Sequence, residues 1–242
     1  MEKDRFTRTK ALVGEDGFAS LKNSTVMVVG LGAVGGYALE ALARSGIGRL
    51  ILVDFDKVDV TNINRQILAL TSTIGEKKTE LALKRVKDIN PDCEVIIKDI
   101  FVNQETMEEL FSEPVDYVVD AIDSLNPKCC LMEELSTRGI PFISSMGAAL
   151  KTKPENIKLQ RLKKTKNCHL ARFVRKRLTR RGVDISGIMC VASDELSDLP
   201  ETAIYLEENA TRHTMGSLPT ITAIFGLTIA NEIILSLVYN SK

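Results

Sequence analysis

The sequence predicts an α/β protein with a mostly parallel sheet, helices on both of its faces and a C-terminal elaboration. Three observations carry this. Short apolar runs at 26–29, 50–53, 95–97, 117–119 and 142–143 alternate with stretches of helical period, and strands separated by helices build right-handed βαβ units. The first run leads straight into Gly30-Leu31-Gly32-Ala33-Val34-Gly35 and then into a helical stretch. Glycines at this spacing let a strand turn sharply into a helix whose first N–H groups face a phosphorylated ligand. Finally, Gly30, Asp54, Asp120 and Asp123 all fall at the carboxyl ends of strand runs, the edge where ligands sit on such sheets. The expected architecture is Rossmann-like.

The elements follow in order. The opening "MEKDRFTRTK" is charged and without an apolar stretch, so no signal peptide is expected. From Glu76, "EKKTELALKRVKDIN" reads as a helix with Leu81, Leu83, Val86 and Ile89 as its apolar stripe. After about residue 147 the alternation is expected to stop. A basic segment, an acidic stretch from Asp194 to Glu208 and a final helix follow, with disorder expected near 163–182 and 193–213. The run from Leu218 to Val238 is long enough to raise the question of a membrane, but Pro219, Gly226, Asn231 and Glu232 interrupt it. A buried helix and no membrane partner are expected.

The 242 residues are expected to form one domain, with a nucleotide-binding core at about 5–147 and the elaboration at 148–242. A 44% hydrophobic and 26% charged composition fits a soluble protein with a sizeable core. Five scattered cysteines without a C-x-x-C pair point to reduced thiols in the cytoplasm and no zinc site. Net charge zero hides an asymmetry. Residues 151–181 hold thirteen Lys or Arg and one acid, Glu155, so the segment is +12 and the rest of the chain −12. Isolated charge runs are commonly solvated helix faces, yet a surplus this lopsided fits a polyanion-binding patch. Its candidate contacts are Lys163, Lys164, Arg172, Arg175, Lys176, Arg177, Arg180 and Arg181.

The glycine turn alone does not separate a dinucleotide from ATP. Asp54, some twenty residues beyond it, takes a ribose in either case. The residues that follow favour ATP. "DFDKVDVTNINRQ" supplies Asp56, Asn62, Arg65 and Gln66, and "GEKK" supplies Lys78. A pyrophosphate is served by a helix N-terminus, whereas a triphosphate carries more charge for Arg65 and Lys78 to neutralise. Asp120 and Asp123 offer carboxylates to a hydrated magnesium ion. Taken singly, Arg65 and Lys78 read as surface charges and Asp123 as a helix N-cap; together they read as a site. Hydride-transfer machinery is lacking, since the only histidines are His169 and His213 and no Tyr-x-x-x-Lys occurs.

In this order and spacing, "GLGAVG", "DFDKVDVTNINRQ", "GEKK" and "DAIDS" resemble the ubiquitin-activating-enzyme-like adenylyltransferases of the ThiF/MoeB/HesA superfamily, over roughly residues 5–147. The resemblance implies ATP with Mg2+. It places Gly30, Gly32, Ala33, Gly35, Asp54 and Asp56 around the nucleotide, with Asp54 on the ribose. Gln66 would contact the nucleotide, Asn62, Arg65 and Lys78 would lie along the phosphates, and Asp123 on magnesium. "RFTRTK" resembles the family's arginine-rich opening, in which the second arginine, here Arg8, reaches the nucleotide of the other subunit of a homodimer. Arg65, Lys78, Asp123 and Arg8 are thus the implied catalytic set.

Further along, "INPDCEV", "AIDSLNPK", "CVASDE" and "GSLPTITAIFGL" resemble the tRNA threonylcarbamoyladenosine dehydratase branch, which gives the basic segment a natural ligand in tRNA. The branch reaction implied is ATP-dependent cyclisation of N6-threonylcarbamoyladenosine beside the anticodon. Its ureido nitrogen attacks the activated threonyl carboxylate, so no enzyme thiol is needed. Cys190, in "GIMCVASDE", is the one candidate thiol, but its apolar neighbours describe a buried strand position. The alternative is adenylation of a ubiquitin-like sulfur-carrier protein, which leaves the basic segment without a role. An NAD-dependent oxidoreductase and a non-catalytic RNA-binding protein are weaker rivals.

Overall fold

The computed structural model describes residues 4–196, 204–205 and 214–239. In chain order its longer elements are α1 (Thr7–Asn23), β1 (Thr25–Val29), α2 (Gly35–Ser45), β2 (Arg49–Val53), α3 (Lys78–Ile89), β3 (Glu94–Lys98), α4 (Met107–Leu110), β4 (Tyr117–Asp120), α5 (Leu125–Arg138) and β5 (Phe142–Ser145). There follow β6 (Ile157–Arg161), α6 (His169–Arg180), β7 (Met189–Ser193), β8 (Ile204–Tyr205), β9 (Thr214–Met215) and α7 (Pro219–Tyr239). The main sheet has the order β3-β2-β1-β4-β5-β7-β6, parallel throughout except for antiparallel β6 at its edge.

All five expected strand runs are present, each longer by one or two residues. The central strands β1 and β2 are buried on both faces, so they read as unbroken apolar runs rather than alternating ones. Val26, Val28, Leu50 and Leu52 pack with α2, α3 and α7 on one face. Met27, Val29, Ile51 and Val53 pack with α4 and α5 on the other. The chain runs from β1 to β2 and β3 on one side, then crosses to β4 on the other. That reversal opens a crevice beyond the carboxyl ends of β1 and β4.

The region past residue 147 departs from expectation. The strand–helix alternation continues there through β6, α6 and β7, and β7 pairs in parallel with β5. Residues 163–182 are ordered rather than disordered, because α6 carries an apolar stripe. Its Ala171, Val174 and Leu178 are buried with Cys129 and Met132 of α5. In the second stretch expected to be disordered, Ser193 closes β7, and Ile204–Tyr205 pair antiparallel with Thr214–Met215. Residues 197–203 and 206–213 lie outside the described residues. The stripe of α3 is also recentred. Ala82 and Val86 are its buried apolar residues, flanked by half-buried Leu81, Leu83 and Ile89.

Helix α7 is long and apolar enough to cross a membrane by length and composition. It instead buries Ile221, Phe225, Ile229, Ala230 and Ile233 in the core beside α2. The contact is closest at Gly226, where an added Cβ would lie 2.3 Å from the Val34 carbonyl oxygen and 2.9 Å from the Ala38 nitrogen. Both atoms are backbone of the first turn of α2, so neither can swing aside. Gly226→Ala is therefore expected to cost about 1–3 kcal/mol, the usual penalty for overpacking. Denaturant titration would read the loss, with exposed Leu227→Ala as a control staying within about 0.5 kcal/mol of wild type.

Candidate active site

The turn between β1 and α2 is built by two glycines. Gly30 takes a left-handed φ of 90°, where a Cβ would also lie 2.9 Å from the Ala121 carbonyl oxygen. A Cβ on Gly35 would fall 1.7 Å from the Gly30 carbonyl oxygen, so any side chain there would force the turn open. Helix α2 begins after Val34 with no side-chain cap; Gly36 N–H is taken by the Gly32 carbonyl at 3.0 Å, and a helix start without a side-chain cap suits an anion. Above Gly32 there is open space, since a Cβ there would meet only Gln66 Nε2, at 3.8 Å. Gln66 is itself buried, and its Oε1 is a buried acceptor without a hydrogen-bond partner among the described residues. A buried amide oxygen left unpaired beside this open space fits a site shaped for a polar ligand.

Asp54 ties this turn to the neighbouring strand end. Its Oδ2 accepts from Leu31 N–H at 2.6 Å and its Oδ1 from Asp56 N–H at 2.8 Å. Burial pushes the Asp54 carboxyl up, and the Lys78 charge with the two N–H donors pulls it part of the way back. Lys78 is the first residue of α3 and is buried; its Nζ donates to Asp56 Oδ2 at 2.9 Å. Glycine turn, Gln66, Asp54, Asp56 and Lys78 thus converge as expected.

Asn62 and Arg65 stand on the loop leading to Gln66. The Asn62 Oδ1 accepts from Asp59 N–H at 3.2 Å, closing a capping box. One Arg65 nitrogen donates to the Thr61 carbonyl and to Asn64 Oδ1, each at 2.8 Å. Asn64 in turn donates to the Ser217 carbonyl at 3.3 Å, so the segment before α7 braces this loop.

The two aspartates after β4 separate. Asp120 is fully buried; its Oδ2 takes Lys128 Nζ at 2.7 Å and the Ser144 hydroxyl at 2.6 Å. The pairing of Asp120 with Asp123 on a metal is therefore corrected, because Asp120 is committed to a buried ion pair. Its other oxygen accepts from Ile122 N–H at 3.1 Å, which holds the loop carrying Asp123. Asp123 is exposed, accepts from the Ser124 hydroxyl and does not cap α5. Sequence reasoning missed Lys128. The signal was present, since Lys128 takes a core position in the stripe Lys128, Leu131, Met132 and Leu135.

Arg8 is exposed, with no hydrogen bond or ion pair among the described residues. It lies beside Phe6, which packs at Gly46, and Arg5, which donates to the Ile89 carbonyl. Gly46 ends α2, about 16 Å along the helix from the glycine turn at 1.5 Å per residue. Arg8 therefore does not join its own chain's crevice.

In the basic segment, Lys151 is buried and donates to the carbonyls of Asn167 and Glu195. Lys158 pairs with Asp194 and Arg181 with Glu133. Arg175 is turned inward onto Thr165 and the Leu162 carbonyl. Lys163, Lys164, Arg172, Lys176 and Arg180 are exposed and Arg177 is half-buried, all without a carboxylate partner among the described residues. Cys190 lies buried in β7, where burial pushes its thiol up to about 12.

The fold and crevice define a nucleotide-binding α/β protein of Rossmann-like architecture. The chain belongs to the ThiF family, which matches residues 6–241. It is 48% identical over 191 residues to the tRNA threonylcarbamoyladenosine dehydratase of Bacillus subtilis (strain 168), spanning 79% of this chain and 75% of the relative. To the protein of that name in Escherichia coli (strain K12) it is 37% identical over 206 residues, 83% and 77% of the two chains. The crystal structure of E. coli tRNA N6-threonylcarbamoyladenosine dehydratase, TcdA, in complex with ATP matches with a TM-score of 0.88 at 34% identity. That match covers 98% of this chain and 95% of the other.

Calorimetric titration is expected to show binding of ATP with magnesium far tighter than of NAD. Lys78→Ala should weaken ATP by about 1.5–3 kcal/mol, the value of a hydrogen bond to a charged group. Tight NAD binding with none of ATP would overturn the triphosphate reading.

Proposed function

We propose that this chain dehydrates N6-threonylcarbamoyladenosine beside the anticodon of tRNA, using ATP to activate the threonyl carboxylate. The observation that carries the reading is an anion-ready crevice, with the thiol that the sequence singles out, Cys190, shut away in β7. The donors are the open start of α2 and the buried Lys78, with Gln66 lining the cradle, whereas the Cys190 thiol is buried and pushed up to about 12. The names of the relatives supply the substrate.

In this reading the open N–H groups of α2, Gln66, Asn62, Arg65 and Lys78 hold the phosphates, and Asp54 and Asp56 the nucleoside side of the crevice. No cluster of three or more metal-ligating side chains occurs among the described residues. That fits magnesium held by one carboxylate, Asp123, and by the phosphates themselves. When bound, the ion would neutralise charge on the departing phosphate. ATP takes the carboxylate oxygen that is formally lost as water, and the ureido nitrogen of the same modification forms the new bond to the carbonyl carbon. Nucleophile and electrophile belong to one small group, so positioning supplies an effective molarity on the order of 10⁵ M or more. The enzyme's task is to orient that group and to stabilise the leaving charge with Arg65 and Lys78. The protein acts in the cytoplasm as a homodimer, and Arg8, remote from its own crevice, completes the site of the second copy.

Two experiments test this. Nucleoside mass spectrometry of modified tRNA incubated with enzyme and ATP should show loss of one water, and Cys190→Ala should retain substantial turnover. Pyrophosphate exchange with a ubiquitin-like carrier, without dehydration, would replace this reading with carrier activation. Arg8→Ala and Asp123→Ala enzymes should each be inactive alone and recover activity when mixed, because heterodimers hold one site with both residues intact. No recovery despite demonstrated subunit exchange would remove Arg8 from the partner's site.

A further inference from the structure

Helix α6 has two opposed faces. Ala171, Val174 and Leu178 are buried against α5. At 3.6 residues per turn, His169, Arg172, Phe173, Lys176 and Arg180 fall within a sector of about 100° on the opposite side. All five are exposed. No acidic side chain pairs with Arg172, Lys176 or Arg180 among the described residues. Phe173 is out of place in this company. It is 45% exposed and belongs to none of the core clusters. Its one ring contact among the described residues is the Arg172 guanidinium carbon, 4.9 Å from the ring centroid. Phe173 thus presents apolar surface to water amid cations, and aromatic and guanidinium planes side by side are what unpaired bases stack upon.

We propose that the exposed face of α6 is an RNA-docking surface on which Phe173 stacks against an unpaired base of the tRNA. Arg172, Lys176 and Arg180 follow the flanking phosphates. The inference rests on the tRNA reading above and adds to it a residue that reads single-stranded loop rather than duplex. An anionic membrane is the other polyanion such a helix could meet. It is disfavoured because the apolar stripe that would enter the lipid is already buried against α5. Arg175, turned inward onto Thr165, and Arg181, exposed but paired with Glu133, are not part of the surface.

The test compares wild type, Phe173→Ala, Phe173→Tyr and the triple variant Arg172→Gln/Lys176→Gln/Arg180→Gln. Binding to tRNA is followed by anisotropy across a salt series, and stacking by a 2-aminopurine placed in the anticodon loop. Phe173→Ala should weaken tRNA binding about 5- to 100-fold and leave the probe unquenched, with the salt dependence unchanged. Phe173→Tyr should retain both affinity and quenching. The triple variant should flatten the log–log salt slope by up to about three, and ATP affinity should be unchanged in every variant. Wild-type affinity and quenching in Phe173→Ala, while the wild type dehydrates tRNA, would overturn the stacking surface and leave the function intact. An equal Phe173→Ala loss on a fully paired hairpin would overturn it too, as would Phe173-dependent binding of phosphatidylserine vesicles without RNA binding. A wild type that neither binds nor dehydrates modified tRNA would sink both readings.

Discussion

The site depends on one buried carboxylate. Asp54 accepts from Leu31 N–H inside the glycine turn and from Asp56 N–H on its own strand end. The two strands are thereby fastened where the sheet ends and the loops begin. A buried carboxylate is expensive unless its lone pairs are used, and here two N–H donors and the nearby Lys78 charge offset much of that expense. Breaking the clamp would separate the anion-binding turn from the Asp56–Lys78 pair. A second buried pair, Asp120 with Lys128, secures the other wall of the crevice through Ile122. Neither clamp has to touch a substrate to be needed, because each fixes the backbone from which a contact residue projects.

The chemistry follows from what is buried and what is open. Cysteine is a nucleophile only as thiolate, and Cys190 sits where burial opposes ionisation. Cys93 and Cys129 are likewise pushed up to about 11 by burial. The open groups at the crevice are N–H donors, amides and cations, suited to holding charged phosphate in a fixed geometry. Such a site catalyses by arrangement of its substrates, which suits a reaction whose two partners are already joined.

The core and most of the site were legible in the sequence because they obey local rules. Strands buried on both faces leave unbroken apolar runs, and the tight turn of Gly30 and Gly35 admits no other residue. The errors came where local pattern needs a three-dimensional partner. The thirteen cations at 151–181 masked the stripe of Ala171, Val174 and Leu178, and so a helix was read as disorder. Asp120 looked like a metal ligand because its spacing to Asp123 is visible in sequence, whereas its partner Lys128 lies across a helix turn and reveals itself only by burial. Arg175 and Arg181 are indistinguishable by sequence from their unpaired neighbours, and only the placement of Thr165 turns the first inward and that of Glu133 pairs the second.

The contact of Gly226 with the first turn of α2 also bears on how the chain acquires its structure. The two segments stand about 190 residues apart in sequence, so their contact closes a long loop. Until α7 docks, the apolar surface of the core that Ile221, Phe225, Ile229 and Ile233 pack into stays open. Such long-range closure is slow, and an apolar surface left waiting invites self-association.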